Sequence, residues 1–84
     1  MFLHITSLMY LEDYRLRLHF NDGTVKDVDL RQELDGEIFE PLKDIGLFKQ
    51  VQINPDTATI EWPNGADFAP EYLHKIGTEV RKIA

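Results

Sequence analysis

The sequence predicts a small α+β domain in which two β-hairpins and an amino-terminal strand form a mostly antiparallel sheet, with a short middle helix and a carboxy-terminal helix. Two runs of alternating apolar and polar residues, at 14–20 and 51–62, predict the hairpins. Apolar residues spaced three and four apart after position 72 predict the last helix. With 84 residues, the chain fits a single domain, 1–84, and is too short for two.

Residues 2–10 predict the amino-terminal strand because they are rich in apolar and β-branched side chains. The alternation breaks near Ser7, which indicates a β-bulge. We expect Ile5, Leu8 and Met9 to be buried.

Residues 14–30 carry the clearest structural pattern, a strand with one buried and one solvated face followed by a turn at Asn21, Asp22 and Gly23. Gly23 supplies the positive φ that such a loop requires. A two-residue turn would mix apolar and charged groups on one face, so a three-residue turn is favoured. That register gives the cross-strand pairs Tyr14 with Leu30, Arg15 with Asp29, Leu16 with Val28 and Arg17 with Asp27.

The segment after the first hairpin predicts short helical pieces. Residues 30–34 can form one helical turn, capped by Asp29 and stopped by Gly36. A short helix follows, with Pro41 in its first turn and its end near Gly46. Three apolar residues of this region are expected to close one edge of the core: Phe39, Leu42 and Phe48.

Residues 49–62 predict a second hairpin, with turn-forming residues at 54–57. A four-residue loop pairs Ile53 with Ala58 and Val51 with Ile60. The return strand ends at Trp62, since Pro63 cannot donate to a sheet ladder.

The carboxy-terminal helix is expected to start after an Asn64-Gly65 turn, with Asp67 as its N-cap and Pro70 and Glu71 in its first turn. Its apolar face would consist of Leu73, Ile76, Val80 and Ile83, with Lys75, Arg81 and Lys82 elsewhere on the helix. Gly77 is a point where the helix can kink or divide, and Thr78 could cap a second piece.

The composition excludes several classes of protein. There are no cysteines, so disulfides, thiolate nucleophiles and sulfur-ligated zinc are ruled out. No signal peptide or membrane-spanning run is visible, and a cytoplasmic location is the default expectation. We expect no cofactor and no metal, since His4, His19 and His74 show no metal-ligand spacing.

The formal net charge of −6 indicates that the partner, if there is one, is basic. Between positions 10 and 44 there are ten acidic and five basic residues, against five and four from 46 to 84. Such a balance disfavours direct nucleic-acid binding. The acidity can also serve solubility alone, and the oligomeric state stays open, a dimer included.

Two groups of residues are candidate binding sites. The polar strand face presents Arg15, Arg17 and His19, although a mixed-sign face is usually only solvated. Trp62, with Asn64 and Asp67 beside it, could form an exposed recognition loop. The competing and favoured interpretation is that Trp62 points inward and the stretch is a structural joint.

No catalytic residue is predicted. Glycosidase-like chemistry needs two carboxylates across a cleft, whereas Asp27 and Asp29 are expected to face Arg17 and Arg15. Thr6, Ser7 and Thr24 lack a neighbouring base in any motif.

Several strings are similar to one bacterial family. They are Asp13-Tyr14-Arg15-Leu16, Phe20-Asn21-Asp22-Gly23, Val28-Asp29-Leu30, Phe39-Glu40-Pro41-Leu42, Phe48 and Trp62-Pro63-Asn64-Gly65-Ala66-Asp67. Together they resemble the domain of unknown function 2442 from about residue 5 to 73. The resemblance implies a small α+β domain like the amino-terminal domain of certain helix-turn-helix proteins. It also implies that some family members are encoded beside a second small protein, in arrangements that look like toxin–antitoxin pairs. It implies no catalytic residue.

These observations lead to a ranked set of functions. The first is a non-enzymatic protein-interaction module, an antitoxin-like partner of a small basic toxin. The alternative is an accessory domain in transcription or nucleic-acid control, acting through Lys75, Arg81 and Lys82. A small enzyme using the carboxylates or His19 ranks last.

Overall fold

The first hairpin lies at the centre of the fold, in a computed structural model that describes residues 2–80. Strands β1 (Ile5–Glu12), β2 (Arg15–Phe20) and β3 (Val25–Asp29) pair antiparallel in chain order. A short strand near the carboxy terminus, β6 (Thr78–Glu79), adds to β3 and completes a four-stranded sheet in the order β1-β2-β3-β6. Strands β4 (Gln52–Asn54) and β5 (Thr59–Glu61) form a separate two-stranded sheet. The α+β prediction is confirmed.

The predicted register of the first hairpin is confirmed. Leu16 lies opposite Val28 and Arg17 opposite Asp27. The amide of Phe20 donates to the carbonyl of Thr24 at 2.9 Å, which closes the three-residue turn. Gly23 there has a φ of +88°, a backbone conformation in which glycine avoids the clash of a Cβ atom.

Strand β1 contains the predicted bulge, with a register shift between Ile5 and Ser7 and a second one between Tyr10 and Glu12. Ile5 is buried and Leu8 half-buried. The prediction that Met9 is buried is wrong, since 56% of its surface is exposed. The bulge adds one residue to the strand, so that Leu8 faces Leu18 on the core side while Met9 stands beside Arg17 on the outer side.

The middle of the chain forms three short helical pieces. A 3₁₀ turn at Arg31–Glu33 follows Asp29, whose carboxylate accepts the Arg31 amide at 3.0 Å. A second 3₁₀ turn spans Glu40–Lys43, and helix α1 spans Ile45–Phe48. The prediction of one helix ending near Gly46 is therefore wrong. Asp44 has an extended ψ of 115° and its side chain accepts the Gly46 amide, so a new helix starts there.

The second hairpin has a register that differs by two residues from the predicted one. Ile53 lies opposite Ile60, and Asn54 opposite Thr59, so the pairs of Ile53 with Ala58 and Val51 with Ile60 are wrong. The Asn54 side chain accepts the amide of Asp56 at 2.9 Å, which starts the turn one residue later than expected. The four-residue loop is consequently 55–58.

Helix α2 (Pro70–Ile76) is shorter than predicted and is not capped by Asp67. Its N-cap is Ala69, which makes no side-chain hydrogen bond, while Pro70 occupies the first turn as expected. The helix ends at Gly77, and the chain continues as strand β6 rather than as a second helical piece capped by Thr78.

Gly77 explains this ending. A Cβ atom at this position would lie 2.9 Å from Cβ of Lys26 and 3.1 Å from Cγ2 of Val28, so only glycine lets the chain reach β3 so closely. Val80 then donates its amide to the carbonyl of Val25 at 2.8 Å. The predicted helical residues Arg81, Lys82 and Ile83 lie outside the described part of the chain.

The core lies between the inner face of the larger sheet and the segments that follow it. The largest fully buried side chains come from both halves of the chain: Leu16, Leu18, Val28, Leu30, Leu34, Leu42, Phe48, Ile60, Trp62 and Leu73. Two of the three residues expected to close the core edge, Leu42 and Phe48, are fully buried, and Phe39 packs against the core while half-buried. Among the helices of residues 2–80, none is both long and apolar enough to traverse a membrane.

Candidate functional site: an outer sheet face and an aromatic patch

The outer sheet face consists of Arg15, Arg17 and His19 on β2 together with Asp27 and Asp29 on β3. The register places Arg17 opposite Asp27 and Arg15 opposite Asp29. Arg17 binds Asp27 through two hydrogen bonds, Nε to Oδ1 at 2.7 Å and Nη2 to Oδ2 at 3.0 Å. Arg15 lies 3.7 Å from Asp29, and His19 lies exposed opposite Val25.

In the Arg17–Asp27 pair, each charge is balanced by the opposite charge of its partner. The hydrogen bond from Arg17 lowers the pKa of Asp27, and burial opposes this effect. The same bond raises the pKa of Arg17. Because each charge already has its counterion, the centre of this face attracts a charged partner only weakly.

A shallow cleft of about 380 Å³ borders this face where β3 meets β6. Its lining includes Arg15, Asp27 and Asp29, so three of the charged groups that the sequence singled out do share one cleft. Their arrangement does not resemble an acid–base pair, because the carboxylates face the guanidinium groups on the neighbouring strand.

The stretch 61–67 is a joint, and Trp62 is its buried centre. Trp62 is 2% exposed, and its Nε1 donates to the carbonyl of Phe48 at 2.9 Å. The favoured interpretation of an inward tryptophan is confirmed, and the indole is not available as an exposed anchor. Gly65, with a φ of +89°, and a hydrogen bond from the Trp62 amide to the carbonyl of Ala66 turn the chain back on itself.

Asn64 ties this joint to the middle of the chain. Its side chain accepts the amide of Ala66 at 3.1 Å and donates to the carbonyl of Ile38 at 2.8 Å. Asp67 bridges Glu61 through the backbone, which leaves its carboxylate exposed. The joint thereby brings Ile38, Asn64 and Asp67 to one region of the surface.

The aromatic patch, defined as Ile38, Phe39, Phe68 and Tyr72, lies at this region. The rings of Phe39 and Phe68 stack with centroids 4.8 Å apart, and Phe68 stacks on Tyr72 at 6.1 Å. Trp62 supports the stack from below, since its ring meets Phe68 edge-on at 5.9 Å. Ile38 is 45% exposed and Tyr72 39%. Apolar groups clustered at the surface in this way are typical of a binding site.

Carboxylates flank every member of the patch. Glu37 and Glu40 enclose Ile38 and Phe39, Asp67 precedes Phe68, and Glu71 precedes Tyr72, and all four carboxylates are exposed. The Tyr72 hydroxyl donates to Glu33, which raises the pKa of the phenol. Glu40 pairs with Lys43 at 3.1 Å. Within residues 2–80, no cation lies within ion-pair distance of Glu37, Asp67 or Glu71.

A polar cluster that sequence reasoning missed connects α2 to the first hairpin. Nε2 of His74 lies 3.0 Å from Asp22 and 3.3 Å from the hydroxyl of Thr24. Thr24 donates to Asp22 at 2.7 Å and lowers the pKa of that carboxyl. Lys26 donates to the carbonyl of His74 at 2.6 Å. Thr24 and His74 are 50 positions apart in the sequence, so no local spacing of residues predicts the cluster.

This cluster holds two elements together and does not form a nucleophile. The hydroxyl of Thr24 donates to the carboxylate of Asp22 at 2.7 Å, whereas an activated nucleophile donates to its base. His74 also packs edge-on against Phe20 at 4.9 Å. The cluster therefore anchors helix α2 to the tip of the first hairpin.

The six residues singled out from the sequence do not form one site. Arg15, Arg17 and His19 share the outer sheet face, whereas Trp62 is buried and Asn64 and Asp67 lie beside the aromatic patch. The patch itself was missed, because Phe39 comes from a segment about thirty residues before the one that holds Phe68 and Tyr72. Across residues 2–80, no three His, Asp or Glu side chains are grouped to hold a metal ion.

The comparisons with known proteins agree with the strings noted in the sequence. The family model described as "Protein of unknown function (DUF2442)" matches residues 5–79. No curated protein and no solved structure gives a significant match. Since the match spans most of the 84 residues, the chain belongs to the DUF2442 family of proteins of unknown function.

Proposed function

We propose that this chain is a non-enzymatic protein-interaction module that binds a positively charged protein, as an antitoxin-like partner of a small basic toxin would. The observation that supports the proposal most is the set of exposed carboxylates, Glu37, Asp67 and Glu71, that no described cation neutralises. A cationic partner gains both affinity and association rate from such groups.

The distribution of cations supports the same proposal. Each arginine between residues 2 and 80 is paired with a carboxylate of the chain itself, so these arginines contribute little attraction for an acidic partner. The formal net charge of −6 shows an excess of carboxylates, and within residues 2–80 Glu37, Asp67 and Glu71 have no cation at ion-pair distance. This excess is available to attract a partner of opposite charge.

The polar clusters favour a role without catalysis. Asp27 is bound to Arg17, and Asp22 is bound to Thr24 and His74. Groups that are mutually satisfied in this way orient and stabilise elements of the fold, whereas general acids and bases need a free position for substrate.

The alternative role in transcription or nucleic-acid control relied on three cations along one helix. Helix α2 ends at Ile76, and strand β6 follows it, so Lys75 does not continue into a basic helical face within the described chain. A phosphate backbone would also meet the repulsion of the excess carboxylates.

Co-purification from the native host tests the proposal. The chain, purified at low salt under native conditions, should bring down a stoichiometric basic protein that mass spectrometry identifies and that about 1 M salt releases, since the Debye length there is only about 3 Å. Recovery of the chain alone, with no gene-adjacent protein bound, would count against an interaction module.

A further inference from the structure

We infer that the aromatic patch is the docking surface, and that it receives a basic segment of the partner in which arginine side chains flank apolar residues. This inference rests on the proposed function and adds to it the surface and the chemistry of the bound segment. Ile38 and Tyr72, the exposed members of the patch, mark where the segment lies.

The patch is preorganised. Phe68 is held between Phe39 and Tyr72 in a stack and lies edge-on against the buried Trp62. The backbone below it is fixed as well, since Thr59, which is 5% exposed, donates its hydroxyl to the carbonyl of Phe68 at 2.6 Å. Rings that are already ordered lose little conformational entropy on binding, so their apolar contact area contributes more fully to affinity.

The charge around the patch selects the partner. Residues 50–74 contain no lysine or arginine, although they supply Phe68 and Tyr72 and the acidic neighbours Asp67 and Glu71. Lys75, one helical turn beyond Glu71, is exposed but forms no ion pair with it. A bound segment therefore meets apolar rings edged by negative charge.

This combination favours arginine over other groups. A guanidinium stacks on an aromatic face and binds a carboxylate through two hydrogen bonds, so one side chain uses both features of the patch. A second copy of the chain would place like charges together, and nucleic acid would bring phosphates against carboxylates. A cationic protein segment is the occupant that both the rings and the charges fit.

Peptide titration followed by ¹⁵N NMR tests the docking surface directly. The probe is a synthetic peptide of about ten residues with arginines on both sides of a central Leu-Phe pair. Two further peptides replace either the arginines by glutamate or the Leu-Phe pair by Gly-Gly. We expect the first peptide alone to shift the amides of Ile38, Phe68 and Tyr72, and to do so more weakly as salt is raised.

Charge-reversal variants test whether peptide binding depends on where a carboxylate lies or only on the net charge of the chain. Glu71→Lys and Glu37→Lys each change the net charge by the same amount as Asp56→Lys, and Asp56 is an exposed residue of the β4–β5 loop. Reversal at the patch should weaken peptide binding about tenfold, and reversal at Asp56 much less. Equal weakening in all three variants would overturn the inference, because the peptide would then sense only overall charge.

Two variants of Tyr72 test whether its aromatic ring is needed for binding. Tyr72→Phe keeps the stack and removes the hydrogen bond to Glu33, so binding should be retained. Tyr72→Ser removes the ring and should abolish the shifts at Phe68 and Ile38. A wild-type chain that binds none of the peptides, or a Tyr72→Ser variant that still folds and binds normally, contradicts the docking surface.

Binding of the co-purified partner to the variants tests the docking surface separately from the proposed interaction module. If it binds the Glu71→Lys and Asp56→Lys variants equally well, the patch is not the docking surface and the interaction module stands. If neither a native partner nor the arginine peptide binds the wild-type chain, both proposals fail. Selective loss of the native partner in Glu71→Lys and Tyr72→Ser supports both.

Discussion

The outer sheet face and the aromatic patch both carry many charged side chains, but they use them differently. On the sheet face, the strand register brings each guanidinium opposite a carboxylate, and Arg17 and Asp27 bind through two hydrogen bonds. Around the patch, the exposed Glu37, Asp67 and Glu71 have no such counterion among residues 2–80.

This difference separates charges that serve the fold from charges that are available to a partner. Paired groups on a strand contribute to sheet stability, and their pairing reduces their attraction for other molecules. Carboxylates without counterions repel one another slightly in the free chain and are relieved when a cation arrives. The same residue type therefore stabilises the fold on one surface and favours binding on the other.

Removing the support beneath the patch should have the largest effect. Trp62→Ala is expected to lower the free energy of unfolding by about 3–5 kcal/mol, because the indole is buried and its place would become a cavity. Urea unfolding monitored by far-ultraviolet circular dichroism measures the change. Trp62→Phe is the control: it keeps an apolar ring but leaves the carbonyl of Phe48 without the indole donor, so its loss should be smaller.

That experiment also tests the role of the joint. A change below about 1 kcal/mol in Trp62→Ala would mean that the indole packs loosely and that the patch does not depend on it.

The ion pairs of the sheet face should show measurable coupling. A double-mutant cycle with Arg17→Met and Asp27→Asn is expected to give a coupling of about 0.2–1 kcal/mol, since the pair is bidentate and partly buried. The matched cycle on Arg15 and Asp29, whose charged atoms lie 3.7 Å apart on an exposed edge, should give less. Equal coupling energies in both cycles would show that the geometry of the pair does not matter.

Acid should weaken the Arg17–Asp27 pair of the sheet face. The hydrogen bond from Arg17 lowers the pKa of Asp27, so the folded chain takes up this proton less readily than the unfolded chain. The contribution of the pair is therefore fully present above the ordinary aspartate pKa of about 3.9 and is lost as the pH falls through the lowered folded value. Unfolding free energies measured from about pH 6 down to about pH 2 should fall less steeply in Asp27→Asn than in the wild type.

Asp22 provides an independent comparison within the same titration. Its pKa is lowered chiefly by the hydrogen bond from the Thr24 side chain, so Asp22→Asn should remove a separate part of the acid dependence. If both variants keep the wild-type slope, neither carboxylate is linked to stability in the way the structure indicates.

The first hairpin could be predicted from the sequence because two signals agreed on one register. Alternation assigned the faces, and the opposite charges of Arg17 and Asp27 selected the pairing. The second hairpin offered alternation and turn-forming residues at 54–57, but no pair of opposite charges to select the register. A slip by two residues leaves every side chain on the same face, so the pattern could not distinguish Ile53 beside Ala58 from Ile53 beside Ile60. In the observed register the amide of Asp56 donates to the Asn54 side chain, and the loop is 55–58.

Three other misses, the end of helix α2, the aromatic patch and the His74 cluster, have a common cause, which is contact between segments distant in the sequence. The spacing of Ile76 and Val80 fits a continued helix, but the close approach of Gly77 to Lys26 and Val28 allows a strand instead. The aromatic patch joins rings from positions 39, 68 and 72, and the His74 cluster joins residues about fifty positions apart. No local period in the sequence encodes such contacts.

Neutralising a carboxylate at the patch should have the smallest effect on stability, with a sign opposite to that on the sheet face. Glu37→Gln removes an exposed charge with no described counterion, so the free energy of unfolding should change by no more than about 0.5 kcal/mol, towards greater stability. Asp27→Asn, which breaks a bidentate pair, should instead destabilise the chain.

Salt provides the control for this last comparison. At about 1 M salt, where the Debye length is about 3 Å, the small gain in Glu37→Gln should disappear because the repulsion that it relieves is already screened. The loss in Asp27→Asn should persist, since its hydrogen bonds are short and partly shielded from solvent. A destabilised Glu37→Gln variant would mean that this carboxylate stabilises the fold, and the distinction between the two surfaces would then no longer hold at Glu37.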